Sequence, residues 1–177
     1  LLCLPMLTFA QKTYVPDDQF EQELINLGYD NALDDSVMTA SIDTVTSLTL
    51  DWSSCISDAT GIEDFVSLTI LQISCNNLVD LDLSQNINLT SFWMDSTWSL
   101  QTLNLQNGNN LNMTINIWGA WNLQCINVDD VVWANNNWAS LINASPNAFF
   151  SEDCYIGRME GYVYFDADSS TTFNVPE

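Results

Sequence analysis

The stretch LTILQISCNNLVDLDLSQNIN (68–88) decides how this chain folds. Its apolar residues Leu68, Leu71, Ile73, Leu78, Leu81 and Leu83 recur at steps that fit neither a long helix nor a single strand. The flanking segments repeat the pattern. VTSLTLDWSSCISDATGIEDFVS (45–67) and LTSFWMDSTWSLQTLNLQNGNN (89–110) align with it on apolar positions one, four and six. These are Val45/Leu48/Leu50, Leu68/Leu71/Ile73 and Leu89/Phe92/Met94. Leu111, Ile115 and Ile117 suggest a fourth, degenerate copy.

Positions four and six face one way on a short strand, and position five faces the other. The chain then turns, and a second apolar pair, Leu81/Leu83 or Leu103/Leu105, brings it back. One such coil cannot bury its own leucines, but stacked coils share a continuous core. Repeat lengths of 23, 21 and 22 residues fall in the leucine-rich-repeat range. The expected fold class is therefore a β-rich leucine-rich-repeat solenoid, with short parallel strands stacked in coils. Position nine carries Asn76 in the middle repeat, where a buried amide can bond backbone groups left over at the turn. Repeat one has Ser53 or Ser54 there and repeat three has Thr97, so an asparagine ladder at this position is broken.

Composition narrows the function. The 177 residues hold 23 acids against Lys12 and Arg158, a net charge of −21. A polyanion would meet repulsion without counterion release, which disfavours nucleic acid, and anionic membranes are disfavoured for the same reason. Cations, cationic proteins and neutral polar ligands remain compatible; acidity also keeps an exported protein soluble. The chain has no His and no Cys-x-x-Cys pair, so neither a zinc site nor a His-activated nucleophile is expected. Paired carboxylates such as Asp80/Asp82 and Asp129/Asp130 suit exposed faces better than acid–base catalysis. No enzyme activity is expected.

Ahead of the repeats, LLCLPMLTFA (1–10) is an apolar run too short to span a bilayer. It ends in Thr8-Phe9-Ala10 and reads as the remainder of a signal peptide. Cys3 would leave with it, so Cys55, Cys75, Cys125 and Cys154 stay, and export permits disulfides. YVPDDQFEQELINLG (14–28) reads as a short helix with Asp17 or Asp18 as N-cap and Gly28 at its end. Phe20, Leu24 and Leu27 fall on one face.

TYVPDDQFEQELINLGYDNALDDSVMTASIDTVTSLTL (13–50) resembles the N-terminal cap and first repeat of secreted leucine-rich-repeat proteins of the Bacteroidota type. NLQCINVDDVVWANNNWASLINASPNAFFSEDC (122–154) resembles their closing cap. The likeness implies a helical N-terminal cap over 11–44, repeats over 45–121 and a C-terminal cap over 122–154. It also implies export by the type IX route to the cell surface or beyond. Cys125 and Cys154 bracket the closing cap and are the better-motivated disulfide; Cys55 and Cys75 sit near equivalent turns and are a second pairing left open. In the cap, Trp133 and Trp138 read as core. GYVYFDADSSTTFNVPE (161–177) is similar to the first strand of immunoglobulin-like or prealbumin-like surface repeats, so a truncated β-sandwich domain is expected over 155–177. There Asp166, Asp168, Asn174 and Glu177 would match a calcium-favouring pattern; the same residues suit a solvated acidic turn. No other cofactor is expected.

Trp93 lies between the inward Phe92 and Met94, so it should point out of the strand face, near Asp95 and beside Gln72 of the preceding coil. Trp52 and Asp51 lie on the corresponding edge of repeat one. An exposed indole amid Asp, Asn and Gln offers an apolar plate together with hydrogen-bonding groups, which suits a protein or glycan contact. Packing across coils is the competing explanation. The reading is a non-catalytic, secreted or surface recognition module. Its rivals are a spacer within a larger adhesin and an accessory region of an exported enzyme.

Overall fold

Beyond the first coil the chain alternates between two parallel sheets, laying one short strand on each per coil; the first coil contributes a strand at Ser47–Leu50 and a helical turn at Ile62–Asp64 among the described residues. The computed structural model describes residues 11–50, 55–74, 77–144 and 148–154. In chain order the first elements are β1 (Lys12–Tyr14), α1 (Asp18–Asn26), β2 (Ser36–Met38) and a single helical turn, α2 (Thr39–Ile42). The coils follow as β3 (Ser47–Leu50), β4 (Ile70–Ser74), β5 (Asp80–Asp82), β6 (Ser91–Asp95) and β7 (Thr102–Asn104). The last elements are β8 (Thr114–Ala120), β9 (Cys125–Asn127), α3 (Val131–Asn137), β10 (Ile142–Ala144) and β11 (Phe149–Ser151). One sheet runs β10-β8-β6-β4-β3 and the other β11-β9-β7-β5; every pairing in both is parallel.

The register is the one the repeat alignment implies. Leu48 lies opposite Leu71, Leu71 opposite Phe92, and Phe92 opposite Ile115. All four are buried, as are Leu50, Ile73, Met94 and Ile117 one step further along. The returning pairs Leu81/Leu83 and Leu103/Leu105 supply the opposite wall, and Ile126/Val128 extends it. Each fully buried aliphatic or aromatic side chain contributes roughly 1.5–3 kcal/mol of transfer free energy. No coil could keep that contribution alone, because its neighbours form the lid. This arrangement has the geometry of a leucine-rich-repeat-type solenoid.

Two details depart from the sequence reading. Leu111 is 71% exposed, and Met113 is buried in its place. The helical turn Asn110–Asn112 shifts the chain so that the next inward residue is Met113. Leu27 follows the end of α1 and is 43% exposed, while Phe20 and Leu24 are fully buried.

Asparagines bridge the coils late in each repeat. Asn76 lies outside the described residues, and Thr97 is buried with its hydroxyl unpartnered among them. The bridging residues occupy positions nineteen and twenty-one of the repeat. Asn86 donates from Nδ2 to the Ile62 carbonyl (2.9 Å), and Asn107 to the Asn86 carbonyl (3.2 Å). Beside them Asn88 donates to the Val66 carbonyl (2.8 Å) and Asn109 to the Leu89 carbonyl (2.9 Å). Thr69 and Thr90 extend the same device, donating their hydroxyls to the carbonyls of Thr46 and Thr69. These side chains tie each turn to a backbone carbonyl of the coil before it, adding to the strand pairing across the stack.

At the N-terminal end β1 pairs antiparallel with β2. Phe20 stacks on Phe65 with centroids 6.4 Å apart, joining α1 to the same core. Glu21 is buried and accepts the backbone N–H groups of Asp34, Asp35 and Ser36 at 2.8–3.2 Å. Asp17 has two tasks. One carboxylate oxygen caps α1 by accepting from Gln19 and Phe20; the other accepts from Ser57 and Asp58. Partial burial raises its pKa, but the hydrogen bonds from Ser57, Phe20 and Asp58 outweigh it and hold the carboxyl below its ordinary value of 3.8. The folded pKa is depressed, so this stabilisation is present above the unfolded pKa and lost as pH falls through the folded one. Asp17→Ala is expected to cost about 0.5–2 kcal/mol near neutral pH. That difference should shrink as pH is lowered below about 4, as urea melts at stepped pH values would show; a constant difference down to low pH would contradict the assignment.

At the other end α3 is capped by Asp130, which accepts from the Trp133 N–H at 2.9 Å. Trp138 is buried and meets Trp133 edge-on at 5.2 Å, with Phe150 at 6.4 Å. Cys125 and Cys154 form a disulfide with Cα atoms 5.8 Å apart. It joins β9 to the residues that follow β11. Cys55 is an exposed free thiol, so the second pairing left open by the sequence is not formed; Cys75 lies outside the described residues.

Candidate functional site

Because positions four and six point inward, position five of every coil is delivered to one outer row. Across β3, β4, β6 and β8 that row reads Thr49, Gln72, Trp93, Asn116. Two residues further along each strand the next row reads Ser74, Asp95, Trp118. Trp93 is 50% exposed and Trp118 56%. The expectation that Trp93 points outward beside Gln72 and near Asp95 therefore matches the register. Asp51 and Trp52, expected on the same edge, lie outside the described residues, as do Asp166, Asp168, Asn174 and Glu177.

A groove of about 520 Å³ runs over this face, with Gln72, Ser74, Trp93, Asp95, Asn116 and Trp118 among its walls. A second hollow of about 270 Å³ continues from it, lined by Asp95, Ser96, Trp98, Trp118, Gly119 and Trp121. Asp95 and Trp118 belong to both. Trp98 and Trp121 are 59% and 55% exposed, so four indoles rim one surface around a single carboxylate.

The junction between the hollows is held by unusual backbone. Ser96 adopts φ +57° and Gly119 φ +71°. The Ser96 N–H donates to the Trp118 carbonyl at 2.9 Å, drawing the two strand ends together. A Cβ on residue 119 would stand 3.0 Å from Ser96 N and 3.1 Å from its Cα, so glycine is required by both space and φ. Ser96 also donates its hydroxyl to Asp95 Oδ1 at 3.0 Å, which orients the carboxylate. Asn122 donates to the Trp98 carbonyl at 2.7 Å, anchoring the far wall.

A depression of about 200 Å³ on the other sheet is lined by Asp58, Glu63, Asp80, Asp82, Asn104 and Asn127, among others. Its polar groups are taken up locally. Asp82 accepts from Ser84 N–H, Asn104 from Gln106 N–H, and Asn127 from Cys154 N–H; Asp58 and Glu63 bond Thr60 and Gly61 in the same way. Asp80 is bonded to the Thr102 hydroxyl. Asp58, Glu63 and Asp82 build turns, and Asp80 ties β5 to β7. Among the described residues no cluster of three or more His, Cys, Asp or Glu is placed to hold a metal ion. None of the described helices is long and apolar enough to cross a membrane.

Neither a protein-family model nor a curated protein matches the chain. Solved structures similar to it include the functional domain of InlJ from Listeria monocytogenes, described as including a cysteine ladder. That match has a TM-score of 0.49 and 26% identity, and covers 84% of this chain and 30% of that one. An internalin C2 from Listeria monocytogenes strain 4b F2365 aligns with a TM-score of 0.43 and 18% identity, covering 81% of both chains. The chain thus spans under a third of the InlJ chain.

Proposed function

We propose that this chain is a non-catalytic recognition module, exported to the cell surface or beyond, that binds a protein or glycan on the outer face of the β3-β4-β6-β8 sheet. The groove holding Trp93, Asp95, Asn116 and Trp118 carries the reading. A parallel sheet fixes the spacing of its rows, so indoles standing on it are presented at little entropic cost. Large exposed aromatics rimmed by polar groups have the composition of binding hot spots. The disulfide is consistent with an oxidising compartment, and we read α1 with the β1–β2 pair as the cap on the first coil.

Trp93→Ala is the direct test. Its side chain contributes little to the core, so the variant should keep the wild-type circular dichroism spectrum and melt within about 0.5 kcal/mol of it. Binding to any ligand found on glycan or peptide arrays should weaken by about tenfold or more, equivalent to a hot-spot residue. Retention of full affinity by a folded Trp93→Ala protein would remove this face from the binding site and favour a spacer role.

A further inference from the structure

We propose that the groove around Asp95 selects a cation: the guanidinium of an arginine on a basic polypeptide segment, seated between Trp93 and Trp118. The inference rests on the recognition reading above and specifies its ligand. Asp95 stands two residues beyond Trp93 on β6 and directly opposite Trp118 on β8. A rise of about 3.3 Å per residue and a strand spacing of about 4.8 Å put the roots of the two indoles about 8 Å apart, diagonally across the carboxylate. A flat group between two rings at carbon contact distance needs about 7 Å. Roots at that spacing suit a guanidinium, which stacks on aromatic faces and pairs with a carboxylate in the same plane. Trp98 and Trp121 then line the path of the flanking peptide through the adjoining hollow.

Charge complementarity points to the same occupant. The chain carries −21 overall, and Lys12, the one cation among the described residues, is paired with Asp34 at 3.0 Å. Such a field accelerates the approach of a basic partner and repels an acidic one. A neutral sugar would gain nothing from it. Asp95 is half-buried, and the Ser96 hydroxyl bonds its Oδ1, so the cation meets an oriented carboxylate.

The experiment uses the purified chain and a short glycine-rich peptide with two arginines, followed by indole emission and calorimetry. A second peptide carries citrulline in place of arginine, which keeps the shape and removes the charge; cellohexaose serves as the neutral sugar. The arginine peptide should bind and perturb the indole emission. Citrulline, Asp95→Asn and Trp118→Ala should each weaken binding by about tenfold. Asp82→Asn, which removes one charge from the opposite sheet, should leave it unchanged. Equal binding of both peptides would overturn the proposal. So would an arginine peptide that binds Asp95→Asn as tightly as wild type, since diffuse attraction to an acidic protein would then suffice. Trp93-dependent binding of cellohexaose without the peptide would defeat the arginine proposal and leave the recognition reading standing. Binding of the peptide that is insensitive to Trp93, Asp95 and Trp118 alike would defeat both.

Discussion

Phe92→Ala should cost about 3–5 kcal/mol of stability, while Trp93→Ala one residue away should cost little. Phe92 is fully buried on β6, with Leu71 and Ile115 opposite it on the strands to either side. Removing the ring leaves a cavity whose walls belong to three different coils. Parallel pairing and the Asn and Thr bridges pin those coils to one another, so the cavity cannot easily collapse and the upper part of the range applies. Urea unfolding of the two variants beside wild type checks this. Comparable losses for both, or a larger loss for Trp93→Ala, would mean that inward and outward have been exchanged on β6.

Loss of the Cys125–Cys154 bridge should lower stability by roughly 3–4 kcal/mol, through the unfolded-state entropy restored when a loop of this length is opened. The two cysteines are 29 residues apart and enclose α3, β10 and most of the surroundings of Trp138. Asn127 lies beneath the link and accepts the Cys154 N–H through Oδ1 at 2.6 Å. The effect should be local first. In a stack of coils the end opens before the middle, so Cys125→Ser/Cys154→Ser should show faster amide exchange over β9 to β11 while β4 and β6 stay protected. Uniform exchange along the chain, or an unchanged melt, would show that the closing segment does not depend on the bridge.

The inward residues were legible in the sequence because burial imposes a strict spacing on them. Leu48, Leu71 and Phe92 occupy equivalent places in coils of different length, and the strands pair them in that order. Trp93 was legible by the same logic, since a residue between two inward neighbours has one direction left. Other features are not fixed by the spacing of inward apolar residues. The bridging amides sit at Asn86/Asn88 and Asn107/Asn109, in a Gln-Asn-x-Asn pattern shared by both repeats whose polar residues the apolar spacing does not single out. Leu111 matched the period by residue type, yet the helical turn over Asn110–Asn112 advances the chain and turns Met113 inward. Trp118 and Trp121 lie on β8 and just beyond it, outside the three aligned repeats, where Gly119 at positive φ and a register shift against β10 break the regular pattern. The Asp95–Trp118 pairing, which forms the heart of the groove, continues the parallel register of β6 and β8, and the Ser96 contact extends it.

Stacking in this register is the claim on which both the groove and the core depend, and cross-strand nuclear Overhauser contacts measure it directly. Uniformly labelled protein should give backbone contacts linking Gln72 with Trp93, Trp93 with Asn116, and Asp95 with Trp118, in parallel order. Contacts that run antiparallel, or that slip by one residue so that Phe92 shares the outer row with Gln72, would contradict the account.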